Sequence, residues 1–472
     1  MTLAAQPNVV LINCDDLGYG DLGCYGSTRN RTPALDQLAA DGIRFDAFYT
    51  ASPVCSPARG ALLTGCYPPR IGFGSFNGIP VLFPGMDIGL GPTEVSLARM
   101  LSDAGYATQA IGKWHCGDQP AFQPTNHGFD HYLGLPYSND MGRQAGRPEF
   151  LPEMPPLPLV ADGEVVEQQP DQASLTERYV DAALDFIREH TLPGIDRPFF
   201  LYLAHMYVHV PIYVQERFAE ASQNGAYGAA VETIDWATSM ILAELDAQGI
   251  ADDTIVIFTS DNGSLGDNPP PWGSDEPLGG SNDPLRGTKG TTWEGGQRVP
   301  GIVRWPARIS PGRVSDDVVT AMDLYPTLAA VCDADLPTDR VIDGRDISAL
   351  WVDDDAPSPH DAFFYYWMND LEAVRSGRWK LHFSKRGTEQ RELYDLEADV
   401  AETNNVIDAH PDVVARLDAL AETARSTLGD ARLERKGSDV RPIGRVDDAA
   451  PLTVYDPDHP YVVAEYDLAD RG

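Results

Sequence analysis

Asn8-Val9-Val10-Leu11-Ile12-Asn13-Cys14-Asp15-Asp16-Leu17-Gly18-Tyr19-Gly20 begins as an almost wholly apolar run and ends in two acids and two glycines. A short run of that kind is the pattern of a strand buried on both faces, as in a parallel sheet covered by helices. Similar runs recur at 106–111, 198–204, 254–259 and 299–305, and helical periodicity lies between them at 32–42, 93–104, 174–190 and 231–245. Strands alternating with helices predict an α/β protein built on a large mixed, mostly parallel sheet sandwiched by helices. Further on, 363–367, 372–376, 379–383 and 392–396 read as short antiparallel strands before a helix at 411–427. The expected division is a large unit, 1–345, and a smaller α+β unit, 346–472, with a polar tail after Gly429.

Open α/β sheets collect ligands beyond the carboxyl ends of their strands, so the residues just after each run carry the functional reading. Asp15 and Asp16 follow the first, and Ser260-Asp261-Asn262-Gly263 follows 254–259, offering oxygen ligands of the kind hard cations take. Either motif alone is equally a turn or a helix cap. Gly112-Lys113-Trp114-His115 follows 106–111, where strand alternation predicts Lys113 and His115 on one side. His205 and His209 follow 198–204 in His-Met-Tyr-Val-His-Val-Pro. Lys289 lies in Lys-Gly-Thr-Thr-Trp-Glu-Gly-Gly, 289–296. Pro53 to Gly65 reads Pro-Val-Cys-Ser-Pro-Ala-Arg-Gly-Ala-Leu-Leu-Thr-Gly. Proline is tolerated at a first helical position, which puts Cys55 at the positive end of a helix with Arg59 one turn on. Such a place lowers a thiol's pKa and holds anions, although a lone cysteine there is more often simply buried.

The 472 residues carry 71 Asp+Glu against 35 Lys+Arg, a formal net charge of -36. A field of that sign argues against nucleic acid and anionic membranes as partners. No run reaches the roughly 20 apolar residues of a membrane span. No basic segment followed by an apolar one and a cleavage site opens the chain, so a cytoplasmic location is expected unless a leader was removed. Six scattered cysteines without a C-x-x-C pair suit neither a disulfide framework nor a zinc ribbon. Acid clusters such as Asp353-Asp354-Asp355 suggest a solvated surface of the halophile kind.

The pattern C-x-P-x-R-x-x-x-L-x-G at Cys55 to Gly65 resembles the signature of the type I sulfatases of the alkaline phosphatase superfamily, arylsulfatase A-like members above all. The resemblance extends over about residues 8–425. It implies a hydrolase of sulfate monoesters, aryl or carbohydrate, in which a maturation enzyme oxidises Cys55 to formylglycine and the hydrated aldehyde is the nucleophile. It further implies that Asp15, Asp16, Asp261 and Asn262, with the modified Cys55, bind calcium in preference to magnesium. Arg59 then activates the hydroxyl. Lys113 and Lys289 meet the sulfuryl oxygens, His209 protonates the leaving oxygen, and His115 takes the proton that releases sulfate. Ser138, in the loop Gly134 to Met141, and His382, on the C-terminal strands, are the substrate-binding candidates. Ala58 departs from the serine of many relatives. A phosphate or phosphonate ester hydrolase of the same superfamily, and a non-catalytic sulfate-ester binder, remain open as alternatives, and the oligomeric state is not readable.

If the acidic surface is of the halophile kind, melting temperature and turnover both rise between dilute buffer and molar potassium chloride, because self-repulsion is screened. Equal stability and activity in the two buffers overturns that expectation.

Overall fold

The computed structural model describes residues 6–143, 154–266 and 279–461. Its central feature is an eleven-stranded sheet in the order Arg313–Ser315, Ile43–Tyr49, Arg298–Arg304, Thr254–Ser260, Asn8–Cys14, Phe199–His205, Ala107–Gly112, His131–Gly134, Pro158–Ala161, Glu164–Gln168, with Val319–Thr320 also on Ile43–Tyr49. From Thr254–Ser260 to His131–Gly134 the neighbours are parallel. Arg298–Arg304 is antiparallel to both its neighbours on one flank, and the hairpin Pro158–Ala161 and Glu164–Gln168 is antiparallel on the other, while Arg313–Ser315 and Val319–Thr320 run parallel to Ile43–Tyr49. Asn8–Cys14 lies in the middle.

Strand alternation explains the sandwich. Val10, Ile12 and Cys14 point into a core shared with Leu35 and Leu38, Leu175 and Tyr179, and Val231 and Ile234. These come from the helices Pro33–Ala40, Gln172–His190 and Gly225–Ala247. Val9 and Leu11 point the other way, against Leu62 and Leu63, Leu97 and Leu101, and Leu324 and Leu328, from helices Cys55–Thr64, Leu97–Asp103 and Leu324–Val331. A strand that must satisfy both cores is apolar throughout, which is why it could be read at sight.

A four-stranded antiparallel sheet, Phe363–Trp367, Asp370–Ser376, Trp379–Lys385 and Thr388–Asp395, packs on the helix Pro411–Thr427 through Leu417, Ala421 and Ala424. Tyr49 and Tyr67 of the large layer enter the same cluster, so the two layers share apolar contacts.

One helix boundary is corrected, and two stretches without an expected element acquire one. The helix expected over 93–104 begins at Leu97, capped by Ser96, whose Oγ accepts from Arg99 N at 3.0 Å. Glu94 is held outside the helix by Arg441, at 2.7 Å. Pro158–Ala161 and Glu164–Gln168 form a hairpin on the sheet edge; residues 144–153 before it lie outside those described, as do 462–472 of the expected smaller unit. The tail after Gly429, unreadable from sequence, returns across the large layer. It pairs Gly444–Arg445 with Ile88–Gly89, and Asp439 meets Arg70 at 3.0 Å.

Gly112, where its strand ends, has φ +98 and lies so close to the next strand that a Cβ would stand 1.9 Å from the carbonyl oxygen of Ala204. Gly112→Ala therefore combines left-handed strain with a backbone clash. The expected cost is about 3 kcal/mol, read as a lowered thermal midpoint, whereas Ala at the exposed Gly194, which at φ +92 has the strain but nothing within 4 Å to clash with, should cost less.

Candidate active site

The parallel register brings the chemistry together. Cys14 pairs with Ser260 on one side and His205 on the other, while Gly112 pairs with Ala204. The residues just beyond, Asp15 and Asp16, Asp261 and Asn262, His209, and Lys113 with His115, therefore leave the sheet at one edge, from strands spaced about 4.8 Å apart. Cys55 and Lys289 reach the same edge by other routes. Helix Cys55–Thr64 follows Ile43–Tyr49, and the Lys289 segment precedes Arg298–Arg304, which enters the sheet antiparallel.

Cys55 is the first residue of its helix and buried. The lowered thiol pKa expected from that position is corrected: burial pushes the thiol up, outweighing Lys113 and Lys289. Arg59 turns its guanidinium to Asp261 Oδ2, at 2.7 Å from Nη2 and 2.8 Å from Nε, and donates through Nη1 to the Lys113 carbonyl at 2.8 Å. Lys113 Nζ bonds Asp15 Oδ2 and donates to Ser138 Oγ at 3.2 Å. Lys289 Nζ lies 2.8 Å from Asp16 Oδ1, and His209 Nε2 lies 3.8 Å from Asp16 Oδ2 and 3.3 Å from Ser138 Oγ. Ser138 thus joins the cluster.

Lys113 and His115 converge by a route other than the expected alternation. The strand stops at Gly112, and His115 has φ +58, so a turn rather than a pleat aims both side chains inward. Asp16 is likewise left-handed, at φ +64. Non-glycine residues are rarely held there except where the surroundings impose it, commonly at functional sites. His115 Nε2 meets the Leu82 carbonyl oxygen at 3.0 Å, while Nδ1 is buried without a partner.

The electrostatics follow from burying many charges together. Burial alone would raise Asp15, but Lys113, His209 and Arg59 hold its carboxyl well below the usual range. Burial, then the neighbouring Asp15, pushes Asp261 up to about 7. Asp16 keeps the Lys289 ammonium charged despite burial. Burial, then Lys113, depresses His115, and burial, then Lys289, depresses His209. His205 is lowered to about 4 by burial alone and does not join the cluster.

Asp15, Asp16, Asp261 and Asn262 suit a hard cation. Asp15 Oδ1 and Asn262 Oδ1 are buried acceptors with no hydrogen-bond donor, and the Asn262 amide nitrogen, donating to Asp16 Oδ1 at 2.7 Å, fixes its oxygen's direction. Asp15, Asp16 and His209 also offer ligand atoms within 4.8 Å of one another. An all-oxygen set with several carboxylates is the donor chemistry of calcium or magnesium.

His382 does not face this cluster. It is fully buried, with Nε2 2.7 Å from Glu402 Oε1 and its ring 4.6 Å from that of Trp293. Lys380 Nζ lies 2.8 Å from Glu294 Oε1 and 3.0 Å from Glu402 Oε1, and Glu294 N donates to Glu402 Oε2 at 2.7 Å. Tyr365 OH donates to Glu294 Oε1 at 2.7 Å. This buried network clamps the segment carrying Lys289 to the C-terminal sheet, and it is what sequence reasoning missed. Lysine is scarce in this chain, and that scarcity would single out Lys380 as it does Lys113 and Lys289.

Comparison with known proteins agrees with this geometry. Residues 7–334 match the sulfatase family model, and 288–426 match the model for the C-terminal part of N-sulphoglucosamine sulphohydrolase. The chain is 38% identical to human arylsulfatase A over 461 residues, covering 89% of this chain and 88% of that protein. It is 40% identical to the N-acetylgalactosamine-6-sulfatase of Canis lupus familiaris over 396 residues, covering 80% and 72%. Among solved structures, that of Ps i-CgsB in complex with k-i-k-neocarrahexaose superposes with a TM-score of 0.76 at 29% identity, covering 89% of this chain and 92% of that one. The cytoplasmic expectation is overturned, because arylsulfatase A and N-acetylgalactosamine-6-sulfatase are secreted or lysosomal enzymes; failure to read a leader in a stretch of sequence does not locate a protein. Matched over more than half its length by the family model, with every expected polar group of the cluster except His382 at one sheet edge, the chain belongs to the sulfatase family and is a sulfuric ester hydrolase.

Proposed function

We propose that the enzyme hydrolyses the sulfate monoester of a saccharide or aryl alcohol at the Cys55 edge of the sheet, with calcium, or magnesium in its place, held by Asp15, Asp16, Asp261 and Asn262. The observation that carries this reading is the meeting of Arg59, Lys113 and Lys289 with those oxygens in a chain where acids outnumber bases two to one. The saccharide class draws on the relative crystallised with neocarrahexaose and on the relative named for N-acetylgalactosamine sulfate. The catalytic portion is taken as residues 1–345 and the clamping portion as 346–472.

The formylglycine mechanism is general for the family, and Cys55 is the residue a maturation enzyme would convert. Once formed, the hydrated aldehyde would supply a hydroxyl nucleophile, and a cation held by Asp15, Asp16, Asp261 and Asn262 would supply Lewis-acid polarisation at neutral pH. This chain's own residues do the remainder. Arg59 holds Asp261 beside Cys55, where its carboxylate accepts the attacking hydroxyl's proton. Lys113 and Lys289 neutralise charge growing on the sulfuryl oxygens, a contribution worth most in a site closed to water. His209, 3.3 Å from Ser138 Oγ, would protonate the departing alcohol, its imidazolium form favoured by Asp16 against the burial that depresses it. His115, its Nδ1 unengaged, accepts the proton from the second hydroxyl as sulfate is expelled.

Cys55→Ala should lower kcat/KM for 4-nitrophenyl sulfate by about 10³-fold or more, and mass spectrometry of the wild-type Cys55 peptide from its native host should find an aldehyde. An unmodified thiol together with full activity of the variant would remove the nucleophile assignment. Asp261→Asn should reduce bound calcium, measured by elemental analysis, and cut turnover on the order of 10²-fold or more, since a charged ligand and a proton acceptor are lost together. Turnover of 4-nitrophenyl phosphate or phosphonate in preference to the sulfate would favour the phosphoryl alternative.

A further inference from the structure

The hairpin between Trp379–Lys385 and Thr388–Asp395 reaches over the segment that bears Lys289. At its tip Arg386 has φ +45 and Gly387 φ +79. Two successive left-handed residues make a tight hairpin turn, in which the first is ordinarily Asn, Asp or Gly. An arginine in that conformation costs backbone energy without helping the turn, so its side chain is where a benefit is to be sought.

The Arg386 guanidinium lies against the site. Nη2 donates to the Gly290 carbonyl at 2.6 Å, and the group lies over the Trp367 ring at 4.3 Å. Gly290 follows Lys289 directly, and its own N–H donates to the Pro53 carbonyl at 2.8 Å, two residues before Cys55. A Cβ on Gly290 would come within 2.8 Å of Arg386 Nη2, so the absence of a side chain there admits the guanidinium. Two more basic residues, one on the Lys289 segment and one on the hairpin, share a second ring. Arg286 and Lys385 lie 3.7 Å and 3.9 Å from the centroid of the Trp293 ring. Lys385 Nζ also donates to Thr292 Oγ1 at 2.9 Å, and Arg286 Nη1 to the Glu402 carbonyl at 2.6 Å.

In a chain with 71 acids and 35 bases, most arginines have found a carboxylate. Among the described residues, no ion pair is formed by Arg286, Lys385 or Arg386. Arg286 and Arg386 engage aromatic faces and backbone carbonyls, which orient a cation without neutralising it, whereas Lys385, on an aromatic face and a hydroxyl, also feels the carboxylates of Glu402 and Glu372. Burial and Lys380 also hold Lys385 below the usual lysine range, a penalty that an incoming anion would relieve.

We propose that Arg386, with Arg286 and Lys385, forms a rim that recognises a second oxyanion, a further sulfate or a carboxylate, on the saccharide whose sulfate ester is cleaved beside Lys289. This rests on the sulfatase reading of the Cys55 edge, and the enzyme is then selective for multiply charged saccharides over singly charged ones.

The test compares wild type, Arg386→Gln and Arg386→Lys on 4-nitrophenyl sulfate and on three saccharides. These are a galactosamine with one sulfate, the same sugar with two, and a singly sulfated galactosamine linked to a hexuronate. Wild type should favour at least one of the doubly charged sugars by tenfold or more in kcat/KM, chiefly through KM, and the favoured sugar tells sulfate from carboxylate. Arg386→Gln should abolish that preference, and Arg386→Lys should keep part of it. A wild type that shows no preference, or that turns over only the nitrophenyl ester, overturns the rim, as does a preference unchanged in Arg386→Gln. If Arg386→Gln melts early, Arg286→Gln carries the same expectation and the same refutation. Wild type inactive on every sulfate, nitrophenyl sulfate included, would count against the Cys55 site itself.

Discussion

Three carboxylates buried within a few ångströms of one another repel, and the dielectric around them is too low for water to relieve the repulsion. Asp15, Asp16 and Asp261 are in that position, and the arrangement around them can be understood as an answer to it. Arg59 takes Asp261, Lys113 takes Asp15, and Lys289 takes Asp16. Asp261 is nevertheless pushed up to about 7, burial acting first and Asp15 next, so these pairs do not fully offset the cost of burying the carboxylates. A divalent cation bound among them would lower that cost.

The same constraint explains why the small C-terminal sheet is attached where it is. Lys289 is carried on an irregular segment, and an irregular segment cannot by itself hold an ammonium on one carboxylate. Glu294, five residues on, anchors it through Lys380 and Glu402, all three fully buried. Removing one member of such a network strands a buried charge, so the clamp is rigid because each member's absence would be costly. His382 belongs to that clamp, which makes it a support for the Lys289 segment.

Much of the site is legible in the sequence. Asp15, Asp16, Asp261, Lys113 and His209 are readable because each lies just past an apolar run, and parallel strands deliver the residues beyond their carboxyl ends to one edge. Cys55, Arg59 and Lys289 are found through motif resemblance, since nothing in a strand pattern points to a helix start or to a loop that precedes an antiparallel strand. The strand Ile43–Tyr49 gives little signal because Arg44 and Asp46, paired with each other at 2.8 Å, interrupt its apolar run. The tail after Gly429 gives none, because its strand pairings are only two residues long and its path over the large layer depends on side-chain pairs distant along the chain, such as Arg441 with Glu94.

The residues alone determined the layered α/β architecture, the edge where chemistry collects and the kinds of group found there, because hydrophobic period and strand direction are local properties. Tertiary structure decided the rest. Burial set the Cys55 thiol high instead of low, a left-handed turn instead of a pleat aimed Lys113 and His115, and His382 went to a buried carboxylate away from the Cys55 cluster. Desolvation, backbone strain and charge pairing each depend on neighbours that are distant along the chain, and only the folded arrangement supplies them.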